Sequence, residues 1–430
     1  MSDYKHSVSL DIEKCKGCTN CLKRCPTEAI RIRDGHAAIN SARCIDCGMC
    51  ISVCPYQAKK AVYDKLDEMK GYKLKIALPA PSLYGQFDNL DDIDYVVQGL
   101  LDMGFDEVYE VARAAELISD YTRKYLLDAN IKRPVISSAC PAVVRLISLR
   151  FPFLCDNIMP ILPPVELAAM LARQEAEKNH PELKPEEICT CFISPCPAKV
   201  SYIKNGIDGE KSQVDFVVSM SDVYFALLDA MNKKRDLPPA ASTQTGMIGV
   251  SWAATGGEAT AIFNDKYLAA DGIENVIRVL EQIDNSDFPN LEFIELNACH
   301  GGCVGGVMTV ANPYIAKARL QTLKRYMPVS QSFRYGEFKA VPDYVFSGKV
   351  EYIPYSAFGN DRNEAIKKMG QVQQICDSLP NLDCGSCGAP TCLAFAEDIV
   401  RGECSQDDCI VSMRKKIHEY FKNAEEQDEK

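Results

Sequence analysis

The stretch "NACHGGCVGG", residues 297–306, sets Cys299 and Cys303 around a His-Gly-Gly triplet and adds a second glycine pair. Glycine stands where a backbone must pass close to another group or take an unusual φ. The stretch closes an apolar run, "LEFIELNAC", which reads as a buried strand ending in a loop. "RPVISSAC" and "ICTCFISPC" end the same way, on Cys140 and Cys196, and "LKIALPAP" is a fourth strand of this type. Between them, "VELAAMLARQEAEKNH" and "SDVYFALLDAMNKKRD" read as helices. The alternation predicts an α/β region over residues 72–355. In open α/β sheets, ligands gather at the C-terminal ends of strands. Cys140, Cys196, Cys299 and Cys303 therefore form one four-ligand set delivered by three loops. Composition alone fits a [4Fe-4S] or a zinc site beside a glycine-lined space.

The chain has 430 residues and 21 cysteines, room for two to four domains and far more thiols than a core uses. Eight cysteines lie in residues 15–54, seven in 140–303 and six in 376–409. The N-terminal "MSDYKHSVSLDIEK" lacks an apolar secretory core, and no run of 18 apolar residues exists. A cytoplasmic setting is the expectation, with cysteines serving metals rather than disulfides. The net charge of −11 speaks against nucleic acid and suits a soluble electron-transfer protein. No membrane partner is expected.

The first group is an internal repeat. "CKGCTNCLKRCP" supplies Cys15, Cys18, Cys21 and Cys25, and "CIDCGMCISVCP" supplies Cys44, Cys47, Cys50 and Cys54. This is the C-x2-C-x2-C-x3-C-P run of bacterial two-cluster ferredoxins, in which the fourth cysteine serves the other cluster. One [4Fe-4S] cluster would use Cys15, Cys18, Cys21 and Cys54, the other Cys44, Cys47, Cys50 and Cys25. The unit is expected as an α+β ferredoxin-like domain over residues 1–65. A pair of zinc sites is the competing reading, but zinc needs no such cadence.

The last group, in "LPNLDCGSCGAPTCLAFAEDIVRGECSQDDC", resembles the small four-cysteine [4Fe-4S] domain of corrinoid and electron-transfer proteins. The match assigns Cys384, Cys387, Cys392 and Cys409, and leaves Cys404 and Cys376 as spare thiols. A helix with Leu393, Ala396, Ile399 and Val400 on one face carries Cys392 at its start. A zinc knuckle is the alternative. This small, mostly helical domain is expected over residues 370–415, followed by a charged, solvated tail over 416–430.

"SSACP", "SPCPAK" and "ELNACHGGCVGG" resemble, in order, the three signature segments of the [FeFe] hydrogenases. "AATGGEATAIF", residues 253–263, resembles that family's glycine turn between the second and third. The resemblance implies an H-cluster: a [4Fe-4S] cubane joined through one cysteine sulfur to a two-iron unit with CO and CN⁻ ligands. It implies that Cys140, Cys196, Cys299 and Cys303 hold the cubane and that Cys303 bridges. It implies that Lys199 hydrogen-bonds a cyanide, a contact an ammonium suits. Gly301, Gly302, Gly305 and Gly306 are expected to let the backbone approach the metal unit. His300 is expected to pack beside the ligands.

The match departs from the family at defined points. The proton-passing cysteine of the first signature falls on Ala139, which has no proton to pass. Ser194 and Asn297 stand where the family has methionines lining the cofactor, and Tyr202 where it has an acid. These departures resemble the sensory branch of the family. The expected function is slow, reversible H₂ chemistry used to sense H₂ or redox state. The partners would be H₂, protons, a ferredoxin or another redox or signalling protein, and the hydrogenase maturation proteins. Two alternatives compete: an ordinary ferredoxin-linked hydrogenase with a route through Ser138, Glu116 or water, and an iron–sulfur assembly protein lacking the two-iron unit. Glu116 and Asp120 read first as plain helix-surface carboxylates and only second as outer-route candidates. Cys155 has no assigned role, and Cys189 and Cys191 read as core residues.

Overall fold

The computed structural model describes residues 4–206, 211–234, 240–284, 290–331, 350–353, 358 and 361–428. Of the stretch expected as 72–355, residues 207–210, 235–239, 285–289, 332–349 and 354–355 lie outside the described residues.

The N-terminal part pairs β1 (Val8–Leu10), β2 (Ile30–Arg33), β3 (His36–Ile39) and β4 (Lys59–Ala61) two by two. β1 runs antiparallel to β4, and β2 forms a hairpin with β3 in which Ile30 faces Ile39. The hairpin turns at Asp34-Gly35, both at positive φ (50° and 77°), the conformation an Asp-Gly turn favours. Short helices Asn20–Lys23 and Met49–Ser52 each follow two of the repeat's cysteines and carry the third, Cys21 or Cys50. The pattern is α+β, as the repeat predicted.

The middle of the chain adds β5 (Leu74–Pro79), β6 (Glu107–Val108), β7 (Val135–Ile136), β8 (Ile188–Ser194), β9 (Phe216–Ser219), β10 (Tyr267–Asp271) and β11 (Phe293–Asn297). All four apolar runs read from the sequence are strands. They do not share one open sheet, however. β6-β5-β8-β9 form one parallel sheet and β10-β11-β7 another. β8 is buried along its whole length, with Cys189 and Cys191 in the core. Such continuous burial is typical of parallel strands covered on both faces. Helix Pro164–Asn179 packs on β5 and β8, and Met220–Lys233 on β8 and β9. The C-terminal ends of β7, β8 and β11 then converge from two sheets on one region.

The C-terminal part is helical: Arg362–Ser378, Cys392–Val400 and Ile410–Asp428. Its first helix starts before the expected residue 370, because Asp361 caps it by accepting from the Glu364 N–H at 2.9 Å. The charged tail expected over 416–430 is exposed over residues 416–422. Its described part continues a helix, and Ile417, Tyr420 and Phe421 are exposed on it.

This helical part is latched to the N-terminal part. Asp398, its side chain fully buried, meets Arg31 Nε, Arg33 Nη2 and Arg401 Nη2, each at 2.6 Å. Burial alone would raise its pKa, but Arg31, Arg401 and Arg33 hold it below the usual carboxylate range. The Ile32 N–H donates to the Gly388 carbonyl at 2.8 Å. Among the described residues no helix is long and apolar enough to cross a membrane.

Candidate metal centre

Cys140 and Cys196 occupy equivalent places. Each is the extended residue immediately before a helix, Pro141–Arg150 and Pro197–Asn205, and each is followed by proline at the first helical position. Proline suits that position because its φ is preset and the missing N–H would bond nothing there. Both sulfurs therefore sit at helix N-termini, where the aligned peptide dipoles favour negative charge. Lys199 lies in the first turn of the second helix, is buried, and places Nζ 3.8 Å from Cys303 Sγ.

The glycines around Cys303 also let neighbouring loops approach it closely. A Cβ on Gly302 would lie 2.6 Å from the Thr255 nitrogen, and one on Gly306 2.2 Å from the Pro195 carbonyl oxygen. Gly301 and Gly302 also sit at φ +77° and +90°. Three loops can thus close together only because this one carries no side chains. His300 faces away, over Gly272, with Nδ1 3.8 Å from Asp271.

The four thiols feel one another and the ammonium. Burial pushes the Cys196 thiol up to about 11 and lifts Cys299 and Cys303 as well, with Lys199 opposing. Burial would lower Lys199, but Cys303, Cys196, Cys140 and Cys299 keep it above the usual lysine range. Four clustered thiols become good ligands only when a cationic centre compensates their charge. The donor set fits an iron–sulfur cubane.

Beside Cys303 lies a cavity with about 50 Å³ open to the centres of water-sized spheres, several waters' worth. Apolar Pro81, Val111, Val165 and Phe192 line it together with Ala139, Lys199, Trp252, Glu258, Glu295 and Asn297. A small, mostly apolar chamber with one ammonium at its edge fits a compact neutral or anionic metal unit attached at Cys303.

The sequence reading passed over the two carboxylates. Glu258 accepts from Ser137 Oγ at 2.7 Å, and Ser137 Oγ accepts from the Ala139 N–H at 3.1 Å. Glu295 accepts from the N–H groups of Gly256 (2.9 Å) and Ala259 (2.8 Å) and from Asn297 Nδ2 (2.8 Å). Burial raises both carboxyl pKa values, and the charge of Glu295 raises Glu258 further. Three N–H donors favour the charged form of Glu295, whereas at Glu258 the donor is the Ser137 hydroxyl. Both lay in quoted motifs, "GGEATAIF" and "IELNAC", but nothing in their spacing announced a pair.

The other sequence candidates fall outside the chamber. Ser194 Oγ donates to the Cys196 carbonyl at 3.0 Å and so shapes the ligand loop. Ser138 Oγ is committed to the Ile161 carbonyl at 2.8 Å. Glu116 is no surface carboxylate: it is buried and accepts from the Gly246 and Gln331 N–H groups and Ser330 Oγ. Asp120 does sit among surface partners, Arg123 and Lys124.

The outer thiols also group. Cys15, Cys18, Cys21 and Cys54 line one cavity, and Cys384, Cys387, Cys392 and Cys409 another. Cys25 acts electrostatically on Cys47 and Cys50, and Cys44 is influenced by the same two. Cys404 turns instead to the Phe395 carbonyl and Cys376 to Asn381.

Parallel α/β sheets converging on a buried thiol set, with further thiol groups outside it, define an iron–sulfur redox protein. The family model for the iron-only hydrogenase large subunit, C-terminal domain, matches residues 73–267 and 258–307, more than half of the chain, and the chain belongs to that family. A 4Fe-4S dicluster domain matches residues 7–55 and an Fe-S cluster family residues 379–411. The NADP-reducing hydrogenase subunit HndD of Solidesulfovibrio fructosivorans is 23% identical over 389 residues, covering 71% of this chain and 66% of that protein. The periplasmic [Fe] hydrogenase large subunit of Nitratidesulfovibrio vulgaris is 24% identical over 216 residues, covering 46% and 51%. The chain thus spans about half to two thirds of these curated relatives. A solved variant of [FeFe]-hydrogenase HydA1 from Chlamydomonas reinhardtii aligns at 18% identity over 60% of this chain and 85% of that one, with a TM-score of 0.43.

Proposed function

We propose that this chain is a slow H₂-handling enzyme of the [FeFe] hydrogenase type, working in the cytoplasm as a sensor of H₂ or redox state. Cys140, Cys196, Cys299 and Cys303 would hold a cubane, Cys303 also the two-iron unit, and Lys199 would hydrogen-bond a ligand of that unit. When bound, this H-cluster supplies the chemistry that interconverts H₂ with two protons and two electrons. The chain supplies the rest. The apolar walls keep bulk water from the chamber, and Lys199 keeps a donor beside Cys303. Proton movement falls to Glu258 and Glu295, since residue 139 contributes only a methyl group. Electrons would pass through the N-terminal clusters, held by Cys15, Cys18, Cys21 and Cys54 and by Cys44, Cys47, Cys50 and Cys25, and through the C-terminal set of Cys384, Cys387, Cys392 and Cys409.

One observation carries this reading: the thiol set and its lysine are complete, while the wall that should hand off protons carries alanine with a carboxylate pair behind it. That pair favours retained turnover over an assembly scaffold. Reconstitution with a synthetic two-iron unit tests it. Infrared bands of CO and CN⁻ ligands with low but real H₂ turnover are expected. Turnover as fast as an ordinary hydrogenase would overturn the sensory reading, and absence of the bands would overturn the H-cluster itself.

A further inference from the structure

The two halves of the N-terminal unit match at an offset of 29 residues, Cys15 to Cys44 through Cys25 to Cys54. The match extends to hydrogen bonds. The Ala29 N–H donates to Cys25 Sγ at 3.2 Å and the Ala58 N–H to Cys54 Sγ at 3.3 Å. It extends to backbone strain as well: Gly17 and Asp46 have φ of 60° and 51°, and Glu28 and Gln57 have 52° and 51°. Two folds this alike would give their clusters nearly equal surroundings.

The symmetry breaks in buried charge. Asp46 and Lys59 are the buried charged residues of this unit among the described residues, and both belong to the second half. Their counterparts are Gly17 and Ile30. Lys59 Nζ is buried with no hydrogen-bond partner, and the residue lines the cavity ringed by Cys15, Cys18, Cys21 and Cys54. An ammonium costs several kcal/mol to desolvate, so one left without hydrogen bonds calls for an anionic neighbour. Its charge also reaches Cys50 of the other set, which has charges of its own. There Asp46 sits with Oδ1 3.7 Å from Cys44 Sγ. It accepts from Ser7 N (2.9 Å), Tyr4 Oη (2.8 Å) and Ser201 Oγ (2.7 Å). Arg145, bound to the Cys44 carbonyl at 2.7 Å, offsets part of that carboxylate. Lys59 thus lines the first set's cavity, whereas at the second set its charge meets the Asp46 carboxylate and the Arg145 guanidinium.

Iron–sulfur potentials follow local charge, hydrogen bonding and exposure. We propose that Lys59, opposed by Asp46, splits the two N-terminal clusters, raising the potential of the one held by Cys15, Cys18, Cys21 and Cys54. The inference rests on the assignment of both sets to [4Fe-4S] clusters and not on H₂ chemistry. Its consequence is direction. The second set abuts the central site: Cys47 and Met49 pack against the same buried cluster as Cys140, one that contains Cys196, and a Cβ on Gly48 would touch Val307. The first set carries the exposed Cys18. Electrons leaving the centre would therefore settle on the outer cluster, which the surroundings of a lysine make the better acceptor.

The test uses the full chain reconstituted with iron and sulfide alone, titrated by electron paramagnetic resonance. The first-cluster signal is assigned by its loss in Cys18→Ser. Lys59→Met is expected to lower that cluster's midpoint by about 59 mV or more, tenfold in a one-electron equilibrium, while Lys59→Arg leaves it near wild type. Asp46→Asn, which keeps the shape and acceptor oxygen, is expected to raise the second cluster's midpoint and narrow the gap. Equal midpoints in the wild-type protein, or a gap that none of these variants changes, would overturn the proposal. Should Lys59→Met fail to hold its cluster, the Asp46→Asn shift decides.

Discussion

The two walls of the central chamber obey different rules. On one wall, Cys140, Cys196, Cys299, Cys303 and Lys199 are all present and grouped. On the other, Ala139, Asn297 and Trp252 face the chamber with two buried carboxylates. Metal holding needs four sulfurs in one geometry, so no member can be exchanged singly. Proton movement needs only some titratable group within hydrogen-bond reach, roughly 2.6–3.2 Å or through one water. The second wall can therefore be built from different residues.

The sharpest way to break this contrast lies on the metal wall. Cys303→Ser is expected to abolish the CO and CN⁻ infrared bands after reconstitution, whereas Cys404→Ser keeps every cluster. Loss of a cluster in the Cys404 variant would show that Cys409 is the spare thiol.

The proton wall should respond by degrees. Glu258→Gln or Glu295→Gln is expected to cut H₂ turnover by roughly 10²–10⁴, the usual cost of a positioned proton-transfer group. Ala139→Cys is expected to raise it. Unchanged rates in all three would locate the proton route elsewhere and return the two walls to one rule.

A further contrast concerns carboxylates that share burial but not company. Asp398 sits among three guanidiniums, whereas Glu110 has only the Gln244 N–H (2.7 Å) and Tyr84 Oη (3.3 Å). Removing one partner of a buried ionic group costs about 3–5 kcal/mol. Asp398→Ala should accordingly free the C-terminal part to limited proteolysis. The depressed pKa of Asp398 means that its stabilisation is present at neutral pH and is lost on acidification.

Glu110 behaves in the opposite sense and with a smaller effect. Burial pushes it up from 4.5 to about 7, helped by Asp94 and Glu116. Between those values the folded chain holds a proton that the unfolded chain has released. Stability should fall as pH rises through that window, by up to about 3 kcal/mol, and level off above it. Unfolding midpoints from pH 5 to 8 should show the slope in the wild type and lose it in Glu110→Gln.

The sequence alone made the cysteine sets, the four strands and the break at Ala139 legible. These are local: the cadence of a loop that wraps a cluster, an apolar run, or a single missing thiol can each be read without knowing the fold. The same is true of Cys404, which fails a spacing. Tertiary structure decided the rest. Glu116 reads as a surface residue until loop 242–246 and Ser330 are seen to cover it. That Gly302 and Gly306 also let the loops of Thr255 and Pro195 approach is seen only in the fold. Glu258 and Glu295 are separated by 36 intervening positions and become a pair only because β11 and the helix Gly257–Ala261 pack together. Carboxylates are common and their sequence neighbours unremarkable, so their chemistry depends on who shares their burial, and burial is a property of the whole packed chain.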